Sequence, residues 1–135
     1  MNILIDTSVW SLAFRKHTKD EKNQRIIEEL KEIIRDVRVV MAGPVRQEVL
    51  SGIRDSKIFE ELRDKLSIYK NIEIRHEDYE EAARFYNICR NHGIQGSHID
   101  YLLCSIAVKN ELLIFTLDKD FENYQKHLPI HLYEL

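Results

Sequence analysis

Apolar positions along this chain change period repeatedly, and each change marks an element. Ile3, Leu4 and Ile5 form an unbroken apolar run closed by Asp6, which predicts a short strand buried on both faces. Residues 7–14 read as a helix. Ile26, Ile27, Leu30, Ile33 and Ile34 then recur at helical spacing behind Thr18-x-x-Glu21, a capping-box pattern. Residues 37–41, rich in Val, predict a second strand. Ala42-Gly43-Pro44 turns the chain, and Pro44 suits the first turn of a helix that runs to Leu50 and stops near Gly52. A further helix carries Ile58, Phe59, Leu62 and Leu66. Within residues 68–74, Ile72 and Ile74 alternate with Glu73 and predict a third strand. Asp78-x-x-Glu81 opens a long helix with Tyr79, Ala82, Ala83 and Tyr86 on one face, ended by Gly93. Ser97-x-x-Asp100 opens the next, with Leu102, Leu103, Ile106 and Ala107 inward. Residues 113–116 predict a fourth strand, 119–127 a short helix, and 130–133 a last edge strand.

Strands alternating with helices predict an α/β protein: a three-layer α/β/α sandwich around a mostly parallel sheet, with residues 1–135 as one domain. Right-handed crossovers leave few topologies. In one common arrangement, strands two and three lie on one side of strand one and strand four on the other. Ligands then bind at the carboxyl ends of strands one and four, where the strand order reverses.

Four acids gain meaning from that arrangement. Asp6 and Asp118 follow strands one and four, Asp100 lies in the first turn of the helix feeding strand four, and Glu48 is about one turn into the helix after strand two. Each has a local explanation, since Asp6, Asp100 and Asp118 suit helix N-termini and Glu48 a solvated face. Local roles do not explain why all four belong to one edge. At about 5 Å and an effective dielectric of about 20, each carboxylate pair repels by roughly 3 kcal/mol. A hard divalent cation offsets that repulsion and turns it into affinity. The chemistry that fits is metal-assisted phosphodiester hydrolysis, with Thr7, Ser8 and Thr116 as hydroxyls that orient water or a carboxylate. Asp120, two residues past Asp118, is a ligand, an outer partner or a first-turn helix residue.

Composition changes this picture little. Net charge is −3, and the four acids account for more than all of it, so the remainder is slightly positive and a nucleic-acid partner is not excluded. Arg15, Lys16, Arg46, Lys109 and Lys119 are the cations placed to meet a phosphate backbone, with ordinary surface as the default for each. His98 adjoins the acids, and Trp10 follows the first of them as a base-stacking or core residue. The six His lack zinc-ligand spacing, and no Gly-rich phosphate loop is present. Cys89 and Cys104, without a Cys-x-x-Cys, read as buried free thiols in a reducing cytoplasm. No apolar run approaches the length of a membrane span, and the start of the chain has no signal-peptide pattern.

Taken together, these segments resemble a PIN-domain ribonuclease of the VapC toxin type. The resemblance rests on Ile3-Leu4-Ile5-Asp6-Thr7-Ser8-Val9, on residues 44–52 around Glu48, on His98-Ile99-Asp100-Tyr101 and the apolar helix behind it, and on Thr116-Leu117-Asp118-Lys119-Asp120-Phe121. It implies a compact α/β/α fold, Mg²⁺ or Mn²⁺ dependence and endoribonuclease activity on RNA. By matching positions it makes Asp6, Glu48, Asp100 and Asp118 the catalytic acids, with Asp6, Asp100 and Asp118 on the metal. It also implies a small VapB-like antitoxin partner and a homodimer. Ser8 stands where the family often has Asn, and Ser97-His98-Ile99 replaces a more apolar lead-in to Asp100. The alternatives are a PIN-fold nuclease outside toxin biology, in RNA processing or acting on DNA, and a non-catalytic binding module of the same fold. An aspartyl-phosphate phosphatase fits less well, because Ser8 occupies the place of its second Asp.

Overall fold

A computed structural model describes residues 1–14 and 20–135. The expected capping residue Thr18, and the cations Arg15 and Lys16, lie outside the described residues. The elements in chain order are β1 (Ile3–Ile5), α1 (Thr7–Ala13), α2 (Glu21–Arg35), β2 (Val39–Val40), α3 (Gly43–Leu50), α4 (Ser56–Leu66), α5 (His76–Asn91), α6 (His98–Lys109), β3 (Leu113–Phe115), α7 (Asp120–Gln125) and β4 (His131–Leu132). The sheet has the order β2-β1-β3-β4, and every pairing is parallel. Ile3 stands opposite Val39 on one side and Leu113 on the other.

The order reverses at β1, as the arrangement of acids required. Right-handed crossovers put α1 and α2 on one face and α6 on the other. β1 is therefore covered on both sides, and all three of its residues are fully buried. Around it the core gathers Val9, Trp10, Met41, Val45, Leu103, Ile106, Ile114, Phe115 and Phe121. Trp10 is a core residue rather than a surface platform, packed against Phe14 and Tyr69. Cys89 and Cys104 are free and buried, as expected. No described helix is long and apolar enough to cross a membrane.

Three elements differ from the sequence expectation. The expected third strand within residues 68–74 is reduced to one parallel bridge, Met41 to Asn71, with the Ile72 amide donating to the Met41 carbonyl at 2.8 Å. Arg46 supplies the reason: its guanidinium donates to the carbonyls of Leu66 and Tyr69 and to the Asn71 side chain. Of these, only the Tyr69 carbonyl and Asn71 belong to the expected strand, and with both held on the guanidinium the segment meets the sheet at Asn71 and Ile72. The long helix begins at His76 rather than Asp78, because Asp78 serves as its third residue and accepts from the Arg75 amide at 2.8 Å. Asp78 is itself buried and paired with Lys109 at 3.3 Å. With that registration, Phe85 and Cys89 join Ala82 inside while Tyr79 is exposed; on α4, Ile58 is likewise exposed and Leu62 and Leu66 are buried.

The second strand starts late because Val37 closes α2 instead of joining the sheet. The Arg38 amide donates to the Ile33 carbonyl and the Val37 amide to the Ile34 carbonyl, the paired bonds of a Schellman motif. Val37 holds a left-handed φ of 56°, a conformation that suits Gly and strains a β-branched residue. Gly93 takes the equivalent place after α5, and Glu111 after α6. Val37 is 86% exposed, so its side chain contributes little packing. A Val37→Gly variant is expected to be more stable by about 1 kcal/mol. Equilibrium urea unfolding checks this, and an unchanged or lower midpoint would contradict the strain.

Candidate metal centre

Asp6 directly follows β1 and sits at the N-cap of α1, yet its side chain does not cap that helix. It is 7% exposed, and its Oδ2 accepts from Ser8 Oγ at 2.9 Å and Thr116 Oγ1 at 2.7 Å. Ser8 Oγ also accepts from the Leu117 amide, and Thr116 Oγ1 from the Asp118 amide. The two hydroxyls thus stitch the end of β1 to the segment leaving β3. This adjacency follows from the parallel pairing of β1 with β3, which puts Ile5 opposite Phe115.

Asp118 Oδ1 accepts from the Asp120 amide at 2.9 Å, fixing the bend that starts α7. Asp100 comes from the opposite direction, in the first turn of α6, where Ser97 is the N-cap and accepts from the Asp100 amide at 3.0 Å. The Asp100 Oδ2 receives the Tyr124 hydroxyl at 2.7 Å. One carboxylate oxygen from each of Asp100, Asp118 and Asp120 lies within 4.8 Å of the others. Among the described residues, that triad is the group of acids, His or Cys arranged to share an ion.

Burial pushes the Asp100 carboxyl above the usual carboxylate range; hydrogen bonds from Tyr124 and Ser97 pull it back, and the nearby charges of Asp6 and Asp118 push it up again. Asp6 thus stands outside the triad but close enough for its charge to act on Asp100. Glu48 is exposed, does not belong to the triad, and is held by Thr7 Oγ1, which donates to its Oε2 at 2.7 Å. Because Thr7 adjoins Asp6, Glu48 flanks the group from α3. Asp120, left open by the sequence, supplies the third converging carboxylate. The donor set is entirely hard oxygen, which fits Mg²⁺ or Mn²⁺ rather than zinc or copper.

The expected phosphate contacts thin out. Arg46 is committed to backbone carbonyls and Lys109 to Asp78. Lys119 remains exposed between Asp118 and Asp120. His98 stacks on Tyr86, with ring centroids 5.1 Å apart, and does not reach across to the acids by any described hydrogen bond. Sequence reasoning missed Tyr124 altogether. The available signal was its position four residues after Asp120, which places both on one side of α7.

Residues 3–127 match the model of the PIN domain, and the chain belongs to that family. Its fold is similar to FitAcB from Neisseria gonorrhoeae, at 17% identity, a TM-score of 0.78, and coverage of 98% of this chain and 96% of that one. It is equally similar to VapBC2 from Rickettsia felis bound to a DNA fragment from their promoter, at 14% identity and TM-score 0.78, covering 100% and 99%. FitAB bound to an IR36 DNA fragment matches at 16% identity and TM-score 0.76, covering 97% and 93%. No curated protein matches the chain by sequence.

Proposed function

We propose that the chain acts as one PIN domain and is a Mg²⁺-dependent endoribonuclease, with Mn²⁺ as the alternative ion, serving as the toxin of a toxin–antitoxin pair. The observation that carries the reading is the convergence of Asp100, Asp118 and Asp120 beside the buried Asp6 at the carboxyl edge of a PIN sheet. Asp100, Asp118 and Asp120 would hold the ion, with Asp6 as the fourth carboxylate, from the end of β1. Mg²⁺ held there would supply an activated water and neutralise charge on the scissile phosphate. Ser8 and Thr116 keep Asp6 oriented by donating to it, so its charge stays fixed while substrate arrives. Thr7 holds Glu48 at the rim, where it takes a proton from the attacking water or orients it. Lys119, exposed between two of the acids, meets a substrate phosphate.

The similar structures pair each relative with a partner, FitA or VapB, and two include DNA. By that likeness this chain takes a small VapB-like antitoxin; work in the cytoplasm as a homodimer completes the proposal. Inducible expression of the wild type and of Asp100→Asn, with RNA end-mapping from the arrested cells, tests the reading. Growth arrest with new RNA ends from the wild type alone is the expected result. Arrest without RNA cleavage, or equal arrest by the variant, would overturn it.

A further inference from the structure

Tyr124 is 1% exposed, and its hydroxyl donates to Asp100 Oδ2 at 2.7 Å. Its ring is wedged between Tyr101, at a centroid separation of 4.9 Å, and Phe121, at 5.2 Å, so the hydroxyl has little freedom to move. The residue is carried by α7, whose first residue is Asp120. One short helix therefore contributes both a carboxylate of the triad and the donor that orients another. Gly96 packs directly against the two tyrosines: a Cβ there would lie 2.6 Å from the hydroxyls of both Tyr101 and Tyr124. The Tyr101 hydroxyl is buried with no conventional partner, so the donor to Asp100 among these two rings is Tyr124.

We infer that Tyr124 is a positioning residue of the metal centre: its hydroxyl fixes the Asp100 carboxylate so that one oxygen faces Asp118 and Asp120. The inference rests on the metal-centre reading above and extends it to a residue outside the carboxylate set. A phenol donor to a ligating carboxylate limits its rotation and prevents it from turning away from the ion, the usual task of an outer-sphere partner. Removing such a partner typically costs about 10–100-fold in metal affinity.

The test is Mn²⁺ titration of the full chain by calorimetry, without RNA, for the wild type, Tyr124→Phe and Tyr133→Phe. Tyr133 is the control, since it donates a comparable phenol bond to Glu29 on α2. Tyr124→Phe keeps the ring and is expected to bind Mn²⁺ at least about 10-fold more weakly, while Tyr133→Phe binds as the wild type does. RNA cleavage by Tyr124→Phe should recover at high Mn²⁺, a metal-dependent defect that general loosening would not produce. Unchanged Mn²⁺ affinity in Tyr124→Phe, or an equal loss in Tyr133→Phe, would overturn the positioning role. A wild type that binds Mn²⁺ with the expected Tyr124 effect but cuts no RNA would sink the nuclease reading and leave this one standing.

Discussion

An Asp100→Asn variant is expected to melt higher than the wild type in the absence of divalent metal, and to lose in RNA cleavage at least the roughly 10–100-fold that removal of even an outer partner of a metal costs. Both effects come from one charge. Asp100 is half-buried, and burial is the largest cause of its raised pKa, with the charges of Asp6 and Asp118 adding to it. The ionised carboxylate therefore costs stability in the folded protein. Because the folded pKa lies above the unfolded one, the folded state binds the proton more tightly. Stability from this group is fully present below the unfolded Asp range and is lost as pH rises through the folded pKa. Above that pKa the whole penalty stands. Asparagine removes the charge and keeps an acceptor for the Tyr124 hydroxyl. Thermal melts in EDTA at neutral pH should thus show the variant ahead, with the gap closing as the pH is lowered past the Asp range. A variant less stable than the wild type at neutral pH would contradict the electrostatic account. Added Mg²⁺ should reverse the order by stabilising only the wild type.

Gly96→Ala should lower stability by about 2–3 kcal/mol and weaken the metal centre about 10-fold or more. Gly96 is not in a left-handed conformation, so the requirement for glycine here is one of space. An added methyl meets the hydroxyls of Tyr101 and Tyr124 at 2.6 Å and the Tyr101 Cζ at 2.7 Å. Flexible side chains could retreat, but both rings are 1% exposed and packed on one another, and Tyr101 also lies edge-on against Tyr86. Relief requires movement of the loop before α6 or of α7, and either displaces Asp100 relative to Asp118 and Asp120. Urea unfolding and Mn²⁺ titration measure the two losses separately. Wild-type stability would show that the loop yields freely, and the steric argument would fail.

Much of this was legible along the chain. The apolar run before Asp6 announced a central strand, and that strand is buried on both faces. Ser97 announced the start of α6, and Ser97 does cap it. Such features depend on periodicity and on bonds between residues three or four apart, which any window of sequence contains. The third strand failed for a different reason. Its alternation was genuine, but Arg46, more than twenty residues earlier in the chain, holds the Tyr69 carbonyl and the Asn71 side chain, a long-range contact that local alternation does not record. The long helix was shifted by two residues because Asp78 looked like its opening residue but serves as its third, paired to Lys109 on α6.

The acids divide in the same way. Local pattern already places carboxylates at strand ends and helix starts, because those positions depend only on neighbouring residues. Tertiary structure alone decided which of them share space. It set Thr116 against Asp6 across 110 positions, left Glu48 on Thr7 outside the triad, admitted Asp120, and brought Tyr124 to Asp100. Periodicity records which face of an element is apolar. The distance between two oxygens on different elements depends on how the core packs the helices onto the sheet, and no single segment encodes that.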